Sequence, residues 1–264
     1  MFPYLEWKVI PVGPLNLQVW GLFGAIGIVA AVVWGVREAK RRGLDAAKIE
    51  SLASWTILAA FIGARVFHVL FYEPGYYFAH PSEILSVWKG GLSSFGGFFG
   101  AAGVAAWRIR KTGLPFWRTA DIAVPATTLG LGCGRIGCFL IHDHPGTLAH
   151  GAGKWFAVDY PGGPRYDLGL LLGITDFLLF GAMLVLMRTP RRQGSVGQEP
   201  RPEGWTLVLF LLAYAPIRFG LDFLRAVDVR YAGLTPGQYG AIILFIIGLF
   251  MMRRVYAKPS PGNL

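Results

Sequence analysis

Three stretches of the chain, 15–36, 90–107 and 231–252, contain no charged residue at all. Each is close to the roughly 20 apolar residues that a helix needs to cross about 30 Å of hydrocarbon. Further apolar runs carry only one or two charges each, and they are 51–71, 119–141, 168–187 and 205–223. The sequence therefore predicts an all-α polytopic membrane protein with about seven transmembrane helices, forming a single integral membrane domain over residues 1–264.

The composition excludes several classes of function. Only 15% of the residues are charged and 54% are hydrophobic, whereas a soluble domain carries about a quarter charged residues. A soluble enzyme, a disordered protein and a nucleic-acid binder are excluded on this ground, despite a net charge of +10. In an apolar chain, Lys and Arg more often set membrane topology than bind nucleic acid. We therefore expect membrane lipids as partners and no nucleic acid.

The loop charges predict the orientation. Most of the basic residues lie in the connections after the first, third, fifth and seventh apolar runs. Because cytoplasmic loops carry the excess of Lys and Arg, the N-terminus is predicted to face outward and the C-terminus to face the cytoplasm.

Several ionisable side chains fall within the predicted spans, where a charged group costs free energy unless it has a partner or a ligand. Four of them are predicted at comparable depth in the outer half of the membrane, namely Arg65, Arg135, Arg218 and Asp222. Three arginines against one carboxylate leave about two positive charges unbalanced, and guanidinium groups bind phosphate oxygens well. This favours a phospholipid headgroup as ligand. The alternative is that each arginine reaches the interface or pairs with Asp176, Asp222 or Asp228.

The fourth span is followed directly by His142, Asp143 and His144. Histidine titrates near neutral pH, so either imidazole can act as a general base at the membrane surface. A metal site and a simple polar turn are the alternatives, and no further metal ligands are evident around this run. Cys133 and Cys138 are spaced for neither a disulfide nor a zinc site.

Four segments occur in order on the predicted spans: GARVFHVLFYEP (63–74), WKGGLSSFGGFFG (88–100), GRIGCFLIHDHPG (134–146) and YAPIRFGLDFLR (214–225). From about Pro14 to Gly248 the chain resembles the prolipoprotein diacylglyceryl transferase family. The resemblance implies transfer of a diacylglyceryl group from phosphatidylglycerol to the lipobox cysteine of prolipoprotein signal peptides, the first step of lipoprotein maturation. It also implies a multi-pass protein of the bacterial inner (plasma) membrane with its N-terminus and its chemistry at the periplasmic face, and no metal or other cofactor.

The resemblance and the membrane charges together give a set of site residues. The expected catalytic residues are Arg135, His142, Asp143, His144 and Arg218. The expected phosphatidylglycerol-binding residues are Arg65, Arg135, Tyr214, Arg218, Asp222 and Arg225. Asp143 is expected to orient a base histidine, Asp222 to fix Arg218, and Tyr214 to bind the headgroup.

The chain also departs from the family pattern. Phe95 stands where the family has a histidine often assigned a catalytic role, and Cys138 replaces an asparagine. Asp143 and Asp222 replace glutamates, and the family's His-Pro-Ser-Gln-Leu-Tyr-Glu segment is reduced to YDLGLLL (166–172). Since phenylalanine accepts no proton, we expect His142 or His144 to be the base, with His68 as a further candidate. The alternatives to a transferase are a lipid-binding homologue without catalysis and a transporter of an anion or lipid.

Overall fold

The computed structural model describes residues 1–86, 90–189, 191–192, 198–199, 201–226 and 230–256. The α-helices in these ranges are α1 (Val19–Arg41), α2 (Ala46–Phe71), α3 (Pro74–Ala79), α4 (Ser94–Thr112), α5 (Phe116–Ile141), α6 (Leu168–Arg188), α7 (Trp205–Leu221) and α8 (Pro236–Tyr256). The strands are β1 (Val9–Val12), β2 (Leu15–Gln18), β3 (Pro145–Leu148), β4 (Ala157–Tyr160), β5 (Gly163–Asp167), β6 (Arg191–Arg192) and β7 (Gln198–Glu199). They pair antiparallel as β1-β2, as β3-β5-β4 and as β6-β7.

Six of the described helices are long and apolar enough to cross a membrane: α1, α2, α5, α6, α7 and α8. The prediction of a largely helical, polytopic membrane protein is therefore confirmed. The third predicted span, 90–107, corresponds to α4, which is not among the six because its last turns carry Arg108, Arg110 and Lys111. Seven spans and the orientation of the termini remain predictions. The expectation of helices alone is incomplete, since short strands lie between the long helices.

Local sequence signals explain where several helices begin and end. Asp45 precedes α2 and accepts hydrogen bonds from the backbone N–H groups of Ala47 and Lys48, both at 3.1 Å. Such a side chain satisfies donors that the first helical turn leaves free. Gly113, with φ of 67°, ends α4 in the left-handed conformation that glycine adopts most readily.

The chain forms two compact units. Unit 1 comprises Met1–Trp34 and Ala120–Leu264, and unit 2 comprises Gly35–Thr119. In unit 1, the buried Asp121 of α5 accepts hydrogen bonds from the backbone N–H groups of Gly204 and Thr206, which lie at the start of α7. A carboxylate inside a predicted span is thus used to cap a neighbouring helix.

In unit 2, glycines allow α2 and α4 to pack backbone against backbone. A Cβ placed on Gly63 would lie 2.4 Å from the carbonyl oxygen of Gly96, and one placed on Gly100 would lie 2.3 Å from that of Ala59. Small residues at a helix interface allow this close approach in membrane proteins. The glycine-rich run 90–103 therefore serves helix packing.

This packing predicts that Gly100→Ala destabilises unit 2 by about 1–3 kcal/mol, because the new methyl group forces the two helices apart. Gly103→Ala is the matched control, since nothing lies within 4 Å of a Cβ at that position of the same helix. Thermal unfolding in detergent is the measurement. We expect a lower transition temperature for Gly100→Ala only, and equal transitions for the two variants would contradict the packing.

Candidate active site

A fully buried carboxylate follows the end of α7 in unit 1. Asp222 opens the short 3₁₀ turn Asp222–Leu224 and is 0% exposed. Its Oδ1 lies 3.2 Å from Nη2 of Arg218 and 2.9 Å from Nε of Arg225. Side chains three and four residues apart share one face of a helix, so the segment 214–225 brings both guanidinium groups to this carboxylate. Asp222 therefore contacts two arginines.

The start of α8 closes the other side of Asp222. The Thr235 hydroxyl donates to Asp222 Oδ2, and Thr235 also accepts from the backbone N–H of Gln238 at 3.1 Å. Gln238 Oε1 accepts from the backbone N–H of Thr235 at 2.9 Å, and its Nε2 donates to the carbonyl of Phe219 at 3.2 Å. This is a capping box with proline at the first helical position. The residues 235–238, TPGQ, carry that signal in the sequence.

A third arginine adjoins this pair. Arg135 of α5 interacts electrostatically with Tyr214, which lies one turn before Arg218 on α7. The neighbouring helix α6 comes close because Gly173 has no side chain there, and a Cβ on it would lie 3.1 Å from Cβ of Arg135. Asp176 of α6 is buried and interacts electrostatically with Arg135 and Arg218. The structure therefore brings together Arg135, Tyr214 and Arg218 from distant parts of the sequence.

Within unit 1, three guanidinium groups and two buried carboxylates lie in this region. The guanidinium groups belong to Arg135, Arg218 and Arg225, and the carboxylates to Asp176 and Asp222. A stronger sign of an anion site is Nη1 of Arg218. It is buried and has no hydrogen-bond partner among the described residues. Since a buried donor without a partner is costly, an anionic oxygen is the group that would satisfy it.

The loop after α5 places Asp143 and His144 beside these arginines. The residue pair Gly146 and Arg225 forms an antiparallel bridge, which holds this loop against the segment that follows α7. His144 Nε2 lies 3.6 Å from Asp143 Oδ2, and both side chains are 32% exposed. Burial lowers the pKa of His144. Asp143 opposes this shift, whereas Arg225 and Arg135 add to it. The neutral imidazole that can accept a proton is therefore favoured.

Cys138 also lies close to this loop. Its thiol is in the last turns of α5 and interacts electrostatically with Arg135. The sulfur of Cys138, a carboxylate oxygen of Asp143 and an imidazole nitrogen of His144 all lie within 4.8 Å of one another. Among the described residues, this is the group of side chains that could hold a metal ion.

His142 belongs to a different cluster. Its Nδ1 lies 2.8 Å from Asp167 Oδ2, to which the Tyr160 hydroxyl donates at 2.6 Å, and Tyr4 stacks on the imidazole with ring centroids 4.3 Å apart. The side chains of His142 and Asp167 are each 1% exposed. Burial and the hydrogen bond to Asp167 raise the pKa of Tyr160, so this hydroxyl keeps its proton and donates it. The partner of His142 is therefore Asp167, which no local sequence signal indicated.

Arg65 is used inside unit 2. It is 6% exposed and donates to the backbone carbonyls of Glu83, Ile84, Gly90 and Gly91 at 2.6 to 3.0 Å. Four hydrogen bonds occupy most of the five N–H donors of a guanidinium. Phe95 of α4 is in the same unit and is exposed. Trp88 and Lys89 of the segment 88–100 lie outside the described residues.

The close contact of α8 with Asp222 gives a test of this geometry. A Cβ on Gly237 would lie 2.5 Å from Asp222 Oδ2 and 3.2 Å from Arg218 Nη2, so Gly237→Ala displaces the ion pair and lowers stability by about 1–3 kcal/mol. Gly240→Ala, on the same helix with nothing within 4 Å, is the control. The measurement is thermal unfolding in detergent, and a Gly237→Ala variant as stable as the control would refute the arrangement.

Comparisons with known proteins give a consistent family. Residues 8–254 match the family described as prolipoprotein diacylglyceryl transferase. The phosphatidylglycerol–prolipoprotein diacylglyceryl transferases of Azoarcus sp. (strain BH72) and Aromatoleum aromaticum are 34% and 31% identical, and each alignment covers 98% of this chain and 98% of the relative. The enzyme of the same name from Cronobacter sakazakii is 30% identical over 100% of this chain and 97% of its own length.

Proposed function

This chain belongs to the prolipoprotein diacylglyceryl transferase family, and we propose that it transfers the diacylglyceryl group of phosphatidylglycerol to the cysteine thiol of a prolipoprotein. The observation that carries the proposal is the buried Asp222 with its two arginines, one of which keeps an unpartnered N–H donor. These groups, in a membrane protein, suit the phosphate of a lipid headgroup. The thiol acceptor is the lipobox cysteine of the prolipoprotein signal peptide.

The arginines act on the phosphate. In the reaction, the sulfur of the acceptor forms a bond with the glyceryl carbon, and the bond from that carbon to a phosphate oxygen breaks. The electron pair stays with the phosphate, which leaves as glycerol phosphate. Arg218 and Arg135 stabilise this developing charge, because preorganised donors in a site that excludes water do so most effectively. Arg225 and Tyr214 assist in binding the headgroup, and Asp222 keeps Arg218 aimed at it.

The acceptor thiol must lose its proton before it attacks. A free thiol has a pKa of about 8.5, so only a few per cent is thiolate at pH 7. We place this activation at His144 and Asp143, because both are partly exposed and adjoin the arginines. His142 is committed to Asp167 and is enclosed by Tyr4, so we give it a positioning role at the start of this loop.

Arg65 has a supporting role in the proposal. Its hydrogen bonds hold the backbone of Glu83 and Ile84 and that of Gly90 and Gly91, just before the glycine-rich start of α4. A direct contact of Arg65 with the lipid would use the one donor that these bonds leave.

The reaction is placed at the periplasmic face of the bacterial inner membrane, with the N-terminus outside. This orientation follows from the excess of Lys and Arg in the loops after the first, third, fifth and seventh apolar runs, because such loops face the cytoplasm.

The test is the mass of a lipobox peptide after incubation with the purified protein and phosphatidylglycerol vesicles. We expect a mass gain of one diacylglyceryl group and release of glycerol phosphate. A folded protein that binds phosphatidylglycerol but leaves the peptide unchanged would overturn the proposal. That outcome would support the non-catalytic homologue, which the exposed Phe95 at the family's histidine position favours.

Arg218→Ala should reduce this transfer by at least about 100-fold, since it removes a donor that stabilises charge in the transition state. Arg253→Ala is the matched control, because Arg253 is an exposed arginine at the far end of α8. Initial rates of peptide modification are measured for both variants, with thermal unfolding as the check on folding. Transfer by Arg218→Ala at the rate of the control would show that Arg218 has no role in the chemistry.

A further inference from the structure

Three helices of unit 1, α6, α7 and α8, line a cavity at the end of α7 that is opposite to Asp222. Its volume is about 810 Å³, and its lining includes Leu186 near the end of α6, Trp205 at the start of α7 and Met252 near the end of α8. The 17 residues of α7 separate Trp205 from Asp222 by about 25 Å. Because the hydrocarbon of a bilayer is about 30 Å thick, the cavity and the Asp222 site lie in opposite leaflets.

The walls of this cavity are largely apolar. Val208, Leu209 and Leu212 of α7 contribute to them, and Leu212 lies about two turns, or roughly 10 Å, beyond Trp205. At Leu212 the helices α7 and α8 are in close contact, since a Cβ on Gly248 would lie 2.9 Å from Leu212 Cδ2. The volume is in the range of about 300–1,000 Å³ that is typical of ligand sites. An acyl chain is the apolar ligand that a membrane supplies to such a cavity.

A guanidinium group is held in a fixed position at the edge of the cavity. Nε of Arg201 donates to the backbone carbonyl of Leu186 at 3.0 Å, and the guanidinium carbon lies 5.1 Å from the ring centroid of Trp205. Trp205 is only 5% exposed, so this ring is itself fixed by its surroundings. Within the described part of the chain this is the one hydrogen bond of Arg201, so four of its five N–H donors are available to a ligand.

The charge at this end of the helices favours an anionic ligand. Arg188 and Arg254 lie in the last turns of α6 and α8, and Arg191 and Arg192 form β6. Guanidinium groups bind phosphate oxygens well, because their planar N–H donors match the geometry of the oxygens. A ligand with an apolar chain and a phosphate group complements both the walls and the edge of the cavity. A free phosphate ion or a neutral hydrocarbon complements only one of them.

We propose that this cavity binds an anionic phospholipid of the leaflet opposite to the Asp222 site, with an acyl chain along α7 and the phosphate on Arg201. The lipid is a bound ligand and undergoes no reaction there. Because Arg201 is already hydrogen-bonded to α6, such a lipid connects the ends of the three helices at the membrane surface. The inference does not rest on the proposed function, since the cavity and the Asp222 site are at opposite ends of α7.

The experiment is photolabelling of the full chain in phosphatidylcholine vesicles that contain a small fraction of a probe lipid with a diazirine in one acyl chain. Two probes with the same chains are compared, one with a phosphatidylglycerol and one with a phosphatidylcholine headgroup. Mass spectrometry locates the labelled residues. We expect the anionic probe to label 205–212 and 252–256 about ten times more than the neutral probe, because it alone has a net charge for Arg201. Both probes should label the exposed Val29 of α1 equally.

Two variants test the two parts of the site. Arg201→Ala should abolish the preference for the anionic probe, whereas Arg188→Ala, an exposed arginine at the end of α6, is the control that keeps it. Leu209→Trp fills the cavity and should remove the label although Arg201 is intact. Leu178→Trp, at an exposed position of α6, is the matched control for the added ring. Thermal unfolding in detergent checks that each variant is folded.

Several results would overturn the proposal. Equal labelling of the cavity by both probes, or an unchanged preference in folded Arg201→Ala, would show that the headgroup charge is not recognised there. Loss of the label in an excess of inorganic phosphate would show that the site binds an anion without the lipid chain. Absence of label from both segments in a protein that is dimeric in solution would indicate that a second copy of the chain covers the cavity.

Discussion

The buried carboxylate of Asp222 is the interaction on which the rest of the site depends. It lies at the point where α7 ends, and it pairs with Arg218 and Arg225 within one turn on either side. A lone charge of this kind would be very costly to bury, so the pairing must form for the helix to end there. The capping box at Thr235 supplies the remaining hydrogen bond to the carboxylate and ties the start of α8 to it.

The proposed function assigns different partners to two neighbouring groups of residues. In it the arginines and Tyr214 bind the lipid headgroup, whereas Asp143 and His144, on the loop after α5, act on the thiol of the peptide. The bridge between Gly146 and Arg225 joins the two. A Cβ on Gly146 would lie 2.6 Å from the carbonyl oxygen of Leu224, so only glycine allows this contact. The proposed transfer needs this closeness, because sulfur and phosphate must act on the same carbon.

Much of this could be predicted from the sequence. Long apolar runs predicted the six helices that can cross a membrane, and the spacing of Arg218 and Asp222 predicted their contact, whereas the contact of Arg225 with Asp222 was not predicted. Pairings across long separations could not be predicted, and His142 with Asp167 is the clearest case, since a sheet of three short strands brings them together. For Arg65, the sequence indicated a charge within a span but not the groups to which it is hydrogen-bonded. Its charge suggested a lipid contact, but the backbone carbonyls of a nearby segment take up most of its donors.

The most direct measurement is the transfer rate of Asp222→Asn, with Asp159→Asn as an exposed control of the same chemistry on β4. Asparagine has nearly the shape of aspartate but no charge, so Arg218 and Arg225 lose their ion pairs with this carboxylate. We predict a loss of transfer of at least about 100-fold, together with a lower unfolding temperature. An Asp222→Asn protein that transfers diacylglyceryl at the rate of the control would contradict the central role of this carboxylate.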